Sequence, residues 1–288
     1  MSIRVDELTY LYKQPGEVRP ALDNVSFSIE DGEIIGIIGH TGSGKSTLLQ
    51  HLNGLLKATS GTVFIDGVNI YEGKEQAKLA RSKVGLVFQY PEYQLFEETV
   101  HADVAFGPKN LSMNEDEINM AVKEAISLVG LNYDSVKDRS PFELSGGQKR
   151  RVAIAGVIAM KPKILILDEP TAGLDPEAHE EIIDMVLDIH RKQGCTIIFV
   201  SHNMDDVARI SDRVMVMNGG KLALMDTPDN VFKETTMLRS LGLDVPQGTG
   251  LLCKLKDKGL SIEPSLVDEE QCVEKIMDCI DRKKLKDD

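Results

Sequence analysis

Apolar and polar positions alternate over Ile3–Tyr12 and Val25–Ile29, which predicts half-buried strands near the N-terminus. The dipeptides Pro15-Gly16 and Asp31-Gly32 mark turns between and after them. Glu33–Ile38 reads as a buried strand that runs into a glycine-rich loop. Beyond it, Leu48, Leu49, Leu52, Leu55 and Leu56 recur at helical spacing and predict a helix over Lys45–Leu56. Val63–Ile65 and Gly85–Phe88 are short strands, with a turn at Asp66-Gly67. The pattern then changes. Ile118, Val122, Ala125, Ile126 and Val129 share one face of a helix over Glu115–Val129, and Gln148–Ala159 is a second helix. Residues of about 90–160 therefore read as a helical insertion. Buried strands return at Ile164–Leu167 and Thr196–Val200, separated by a helix over Pro176–Lys192. Strand, helix, strand with apolar strands implies an α/β domain with a mostly parallel sheet. Val214–Met217 and Lys221–Met225 form a hairpin around Asn218-Gly219-Gly220. From about residue 229 the pattern is helical, with Leu251, Leu252 and Leu255 on one face and Val273, Ile276 and Ile280 on another. This predicts a domain over 1–228 and a small helical appendage over 229–288.

Composition narrows the function. The chain has 288 residues, 42% hydrophobic and 27% charged, with no Trp, so its core is mainly aliphatic. A net charge of -13 argues against a generally basic surface for nucleic acid or anionic lipid. No apolar run approaches the ~18 residues that cross a bilayer, and the N-terminus lacks the pattern of a signal peptide. Folding in the cytoplasm is expected, with any membrane link made through a partner. Cys195, Cys253, Cys272 and Cys279 lack zinc-type spacing and are expected to be plain thiols.

The chemistry begins at Gly39-His40-Thr41-Gly42-Ser43-Gly44-Lys45-Ser46, followed by Thr47, which matches G-x-x-x-x-G-K-[ST] between a buried strand and a helix. Glycines there let backbone N–H groups turn toward phosphates, and the helix start adds a positive dipole end. Lys45 is expected to reach the β- and γ-phosphates of a nucleotide, and the Ser46 hydroxyl to ligate Mg²⁺. The strand Ile164–Leu167 ends in Asp168-Glu169, which places both carboxylates at the carboxyl edge of the sheet, beside that loop. Asp168 is placed to hold Mg²⁺ and Glu169 to polarise an attacking water. His202 and Gln89 each follow the end of a buried strand, where a side chain reaches a γ-phosphate, a metal or the water.

Leu144-Ser145-Gly146-Gly147-Gln148 then resembles the signature motif of ATP-binding cassette (ABC) proteins. The resemblance covers about residues 1–230. It implies a P-loop NTPase core of the ABC-ATPase type, with a mostly parallel sheet, an antiparallel β subdomain, a helical signature subdomain and the C-terminal appendage. It also implies catalytic roles for Glu169, His202 as switch histidine and Gln89 in the Q-loop, the last also toward Mg²⁺. Ala172-Gly173-Leu174-Asp175 matches the D-loop. Tyr12 is the better match to the aromatic that stacks on adenine, and Tyr10 the alternative. Cassettes of this family pair head to tail, so Leu144–Gln148 would contact ATP held by the other copy.

A narrower resemblance lies in Phe88–Val100, Asp103–Asn110 and Glu143–Gly156, which are similar to the ATPases of energy-coupling factor transporters, the second or A-prime type above all. That resemblance implies an ATPase powering uptake of a vitamin or metal ion, at the cytoplasmic face of the cell membrane as a peripheral subunit. Its implied partners are a second ABC ATPase (a heterodimer favoured over a homodimer), a transmembrane coupling subunit and a small membrane protein that captures cargo, with no nucleic acid. Residues of about 90–107 would receive the coupling helices, with Glu92, Glu97, Glu98 and Asp103 pairing with arginines there. The appendage would hold the two ATPases together. A soluble cassette protein acting on translation or DNA is one competing class, but such chains usually carry paired cassettes or a long coiled coil, and this one has neither. The ATPase of an ordinary binding-protein-dependent importer or an exporter half is another, against which the segment after Gln89 and the short helical tail argue.

Overall fold

A computed structural model describes residues 1–12, 20–265 and 269–287 of the chain. The expected turn at Pro15-Gly16 lies outside the described residues. Strands β1 (Ile3–Tyr10) and β2 (Leu22–Ile29) pair antiparallel. Strand β3 (Ile34–Ile38) is buried at every position and delivers the chain to helix α1 (Lys45–Leu52). Strands β4 (Ser60–Ile65) and β5 (Val68–Asn69) complete an antiparallel sheet of order β2-β1-β4-β5. Helix α2 (Lys74–Lys83) leads into β6 (Val84–Val87).

The insertion follows as a short 3₁₀ turn (Pro91–Gln94) and helices α3 (Val100–Asn110), α4 (Glu115–Leu128), α5 (Tyr133–Val136) and α6 (Gly146–Ile158). Strand β7 (Ile164–Asp168), helix α7 (Pro176–Gln193), strand β8 (Thr196–Val200) and helix α8 (Met204–Ile210) return the chain to the main sheet. The hairpin β9 (Arg213–Asn218) and β10 (Lys221–Asp226) closes it in the order β10-β9-β3-β8-β7-β6. Pairings within this sheet are parallel except that of β9 with β10. Helices α9 (Pro228–Lys233), α10 (Thr235–Ser240), α11 (Gln247–Asp257) and α12 (Glu269–Asp287) end the chain.

The parallel strands are apolar on both sides because both faces are covered. On one face, Ile35, Ile37, Ile166, Ile198 and Val200 pack with α1 and the antiparallel sheet. On the other, Leu165, Leu167, Ile197 and Phe199 pack with the helices of the insertion and with α7 and α8. Helix α8 crosses β3 so closely that a Cβ on Gly36 would lie 2.5 Å from Ser211 Oγ and 2.6 Å from a Val207 methyl. Between the two sheets, Arg213 on β9 is bidentate to Glu33 at 2.5 and 2.8 Å and also donates to Ser28 O at 2.9 Å.

The C-terminal part divides later than the periodicity suggests. Val231, Phe232, Leu238 and Leu243 belong to the large core, so α9 and α10 pack onto the main domain. A separate small cluster forms only from Leu252, Ile262 and Cys272, with Leu255, Ile276 and Cys279 against it. The packed face of α12 is therefore the cysteine side, while Val273, Met277 and Ile280 are exposed, as is Leu251 on α11. Among the described residues, Cys195, Cys253, Cys272 and Cys279 form no disulfide. No described helix is long and apolar enough to cross a membrane.

Candidate functional site

The loop after β3 is built to receive an anion. Helix α1 starts at Gly44, which has a φ of 105° and no side chain to cap the helix. A Cβ there would lie 2.6 Å from Ala21 O, so both the backbone and the space require glycine. The first N–H groups of α1 therefore have no side-chain cap, which is the condition that attracts phosphate oxygens. Ser43 Oγ is buried with no hydrogen-bond partner among the described residues. Lys45 folds back over the loop, its Nζ donating to Gly39 O at 2.5 Å and His40 O at 3.2 Å. Burial pushes the Lys45 pKa down, while the nearby charges of Glu169 and Asp168 oppose that shift. His40 joins the loop to the hairpin, with Nε2 3.1 Å from Asn218 Oδ1. Thr41 and Gly42 are exposed at the loop's tip.

The carboxylates stand where β7 ends. Ser46 Oγ donates to Asp168 Oδ2 at 3.3 Å. Burial pushes the Asp168 pKa up, and the charge of Glu169 adds to it. Glu169 is held at a φ of 52°, a left-handed conformation costly for a non-glycine residue. Its N–H donates to Val200 O at 3.0 Å, which ties it to the end of β8. Its side chain draws in the other two candidates. Gln89 Nε2 donates to Glu169 Oε2 at 2.8 Å, and His202 Nε2 lies 2.8 Å from Glu169 Oε1. Three strand ends thus converge on one carboxylate. Serine hydroxyl, carboxylate and amide oxygens are hard donors, so Ser46, Asp168 and Gln89 suit Mg²⁺ by the chemistry of the donor set.

The two tyrosines differ in setting. Tyr12 is 45% exposed, with its hydroxyl 3.1 Å from Thr47 Oγ1 on the first turn of α1. Tyr10 packs edge-on against buried His51 at 4.6 Å between ring centroids and joins the core beneath. Tyr12 is thus the one that presents a ring to solvent beside the phosphate loop.

Leu144–Gln148 lies in the helical insertion. Ser145 caps α6 by accepting from Gln148 N at 3.3 Å, and the Gln148 side chain accepts from Ser145 N at 3.2 Å. Ser145 and Gly146 are exposed, whereas Leu144 is buried in the core and anchors the segment rather than offering a surface. Asp175 caps α7, accepting from Ala178 N at 3.0 Å.

The acidic run after Gln89 is less free than its sequence suggests. Glu92 is already paired within the chain, accepting from Arg150 Nε at 3.1 Å and Nη2 at 3.0 Å. Asp103 accepts from the backbone of Phe96 and Glu97, both at 2.9 Å. Neither waits for an outside arginine. What the segment does expose is aromatic: Tyr90, Tyr93 at 84%, and Phe96 stacked edge-on against Phe106 at 5.0 Å. Sequence pattern alone assigns no role to Arg150. Its one signal is a charge at the position four before Ile154, on the buried face of α6.

A family model described as ABC transporter matches residues 22–172. The energy-coupling factor transporter ATP-binding protein EcfA2 of Clostridium perfringens (strain 13 / Type A) is 54% identical over 282 residues, 97% of this chain and 99% of that protein. The protein of the same name from Clostridium tetani (strain Massachusetts / E88) is 53% identical over 285 residues, 98% of this chain and 99% of that one. Among solved structures, cbiO1 of Clostridium perfringens, described as part of the ABC transporter complex cbiONQ, is similar with a TM-score of 0.74 and 40% identity. It is covered over 98% of its length and this chain over 88%. The dimeric cassette MJ0796, in a post-hydrolysis state bound to ADP and Pi, is similar at a TM-score of 0.70 and 30% identity, over 78% of this chain and 98% of that one.

Proposed function

Because the chain belongs to the ABC transporter family, among the ATP-binding proteins of energy-coupling factor transporters, we propose that it drives uptake of a vitamin or metal ion through a transmembrane coupling subunit. It is an ATPase subunit of such a transporter. The observation that carries the mechanism is the convergence of Gln89 and His202 on Glu169, beside Lys45 and Asp168. The uncapped start of α1 and Lys45 would hold the phosphates of ATP, and Tyr12 would stack on the adenine. Ser46, Asp168 and Gln89 would hold Mg²⁺, which when bound would neutralise charge on the β- and γ-phosphate oxygens. Glu169 would accept a proton from the attacking water, with Gln89 and His202 orienting its oxygens. The exposed pair Ser145 and Gly146 would complete the site of a second cassette, a different ATPase in the favoured arrangement.

In this reading ATP favours the closed pair, and hydrolysis lets the cassettes part, so differential affinity for the two states becomes motion. The exposed aromatics Tyr90, Tyr93, Phe96 and Phe106 support a docking face for the coupling subunit, with Glu97 and Glu98 the acids left for its arginines. The exposed Val273, Met277 and Ile280 support the expected role of α12 in holding two ATPases together. The chain would then lie peripherally on the cytoplasmic face of the membrane.

The trans role of the signature has its own test. A Cβ on Gly146 meets nothing within 4 Å, so Gly146→Asp should fold normally. A carboxylate there would face the phosphates held by the other cassette, and turnover should fall by about tenfold or more through like-charge repulsion. Unchanged turnover with an unchanged melting temperature would remove this segment from the composite site.

The whole proposal is tested by a tagged pull-down from detergent-solubilised native membranes, with the recovered proteins identified by mass spectrometry. Recovery of a second cassette ATPase with a polytopic membrane subunit is expected. Recovery of ribosomes or DNA-associated proteins in their place would overturn the transport role.

A further inference from the structure

Arg150 sits on α6, two residues after the signature, and is only 3% exposed. Its guanidinium joins three segments of the chain. Nε and Nη2 grip both oxygens of Glu92 at 3.1 and 3.0 Å. Nη1 donates to Pro170 O at 3.0 Å and to Ala172 O at 2.9 Å. The guanidinium carbon also lies 6.0 Å from the centroid of Tyr90, at the outer range of cation–π contact.

These partners flank the catalytic candidates. Tyr90 and Glu92 lie within three residues after Gln89, and Pro170 and Ala172 within three after Glu169. Both segments hold a non-glycine residue in the left-handed region, Tyr90 at a φ of 56° and Glu169 at 52°. Such conformations persist only where the surroundings over-determine them. Between the two segments, the contact that matters for chemistry is the single hydrogen bond from Gln89 Nε2 to Glu169 Oε2 at 2.8 Å. The planar fork of Arg150 clamps the two segments beyond that bond, with geometry that a point-like ammonium cannot reproduce.

We propose that Arg150 is a positioning residue for ATP hydrolysis: it fixes the Gln89 and Glu169 segments in one register and ties both to the signature helix. Buried and fully occupied by these partners, it would touch neither ATP nor the water. Its effect runs through Glu169 and Gln89, so the proposal rests on the catalytic reading of those residues. The same side chain makes the signature of this chain, which would serve the other cassette's nucleotide, mechanically continuous with the carboxylate that would serve its own. A shift of α6 when the pair closes would be felt directly at Pro170 and Glu92.

The test uses the full chain in its native membrane complex, with Arg150→Lys, Glu92→Gln and both together. Steady-state kcat and KM for ATP are measured beside equilibrium nucleotide binding and thermal unfolding. Arg150→Lys should lower kcat by about ten- to a hundredfold, the scale on which a displacement of about 1 Å acts on a reacting group. KM and nucleotide affinity should barely change, since the phosphate loop is untouched. Glu92→Gln is nearly isosteric and leaves the bonds from Arg150 to Pro170 and Ala172, so it should cost less. The double variant should be no slower than Arg150→Lys alone, because both changes break one link. A purely structural role predicts something else: melting temperature, nucleotide affinity and kcat falling together, and that pattern overturns the proposal. Normal kcat in Arg150→Lys, with Glu169→Gln inactive, overturns it alone. Normal turnover in Glu169→Gln overturns the catalytic assignment and this proposal with it.

Discussion

Glu169→Gln should cut steady-state ATP hydrolysis by about 10²–10⁴-fold, the range over which a positioned general base acts. The substitution keeps the shape of the side chain but removes its charge and its capacity to take a proton. In the native chain both carboxylate oxygens are engaged, one by Gln89 at 2.8 Å and one by His202 at 2.8 Å. A Gln at this position offers one acceptor oxygen and one donor nitrogen, so one of those neighbours must switch from donor to acceptor, by an amide flip of Gln89 or a tautomer change of His202. The parts proposed to hold the nucleotide are left alone: the uncapped start of α1, Lys45, and the Ser46–Asp168 pair at 3.3 Å. ATP should therefore bind and not be consumed, and the ATP-bound pair of cassettes should accumulate. Size-exclusion chromatography with ATP should show a persistent larger species, absent with ADP. Full turnover in this variant would remove Glu169 as the base. Loss of ATP binding would mean that its main part is structural.

Lys45→Ala should act on the other half of the site. Truncating one partner of a hydrogen-bonded charge pair costs about 2–5 kcal/mol, or roughly 30-fold to several-thousand-fold in nucleotide dissociation constant. The structure explains why the loss should fall on binding. Lys45 Nζ rests on two loop carbonyls, Gly39 O and His40 O, and these are neutral acceptors that phosphate oxygens can replace. Burial already pulls its pKa down, so an anionic ligand would relieve the cost of a desolvated ammonium. Isothermal titration with ATP should show weak or undetectable binding. Unaltered affinity would contradict the assignment of Lys45 to the phosphates. The pair of variants separates the functions: one binds without turning over, and the other does not bind.

The strongly patterned elements are legible from the order of residues. Apolar runs too short for helices and free of alternation mark β3, β7 and β8 as buried strands. The phosphate loop is readable because its chemistry demands glycine at set positions next to lysine. Gly44 shows why, with a φ of 105° and a backbone carbonyl 2.6 Å from its missing Cβ. Helices α4 and α7 fall within a residue of their expected bounds because their apolar faces repeat at the helical period, whereas α6, which has no such stripe, starts two residues early where Ser145 caps it. Helix α2 is different. It buries only Ala80, so its sequence carries no apolar stripe to find. Helix α1 stops at Leu52 rather than continuing to Leu56, and Leu55 is exposed, so helical spacing overruns the packing there.

Residue types at fixed spacing along one stretch of chain are enough to define the kind of chemistry and to nominate the groups for it. They do not say which acids are free. Glu92 and Asp103 read as open partners until the fold brings Arg150 to one and turns the other onto the backbone of Phe96 and Glu97. The sequence prefers Tyr12 to Tyr10 only by resemblance, since which ring the core claims and which it leaves facing solvent is set by packing. Val231, Phe232 and Leu238 likewise join the main core rather than the appendage only through packing. The reason is common to all of these. Local pattern records what a residue can do, whereas pairing, burial and exposure are set by groups far away in sequence. Gln89 meets Glu169 across 80 positions, and only the closing of β6 against β7 and β7 against β8 brings such groups to one place.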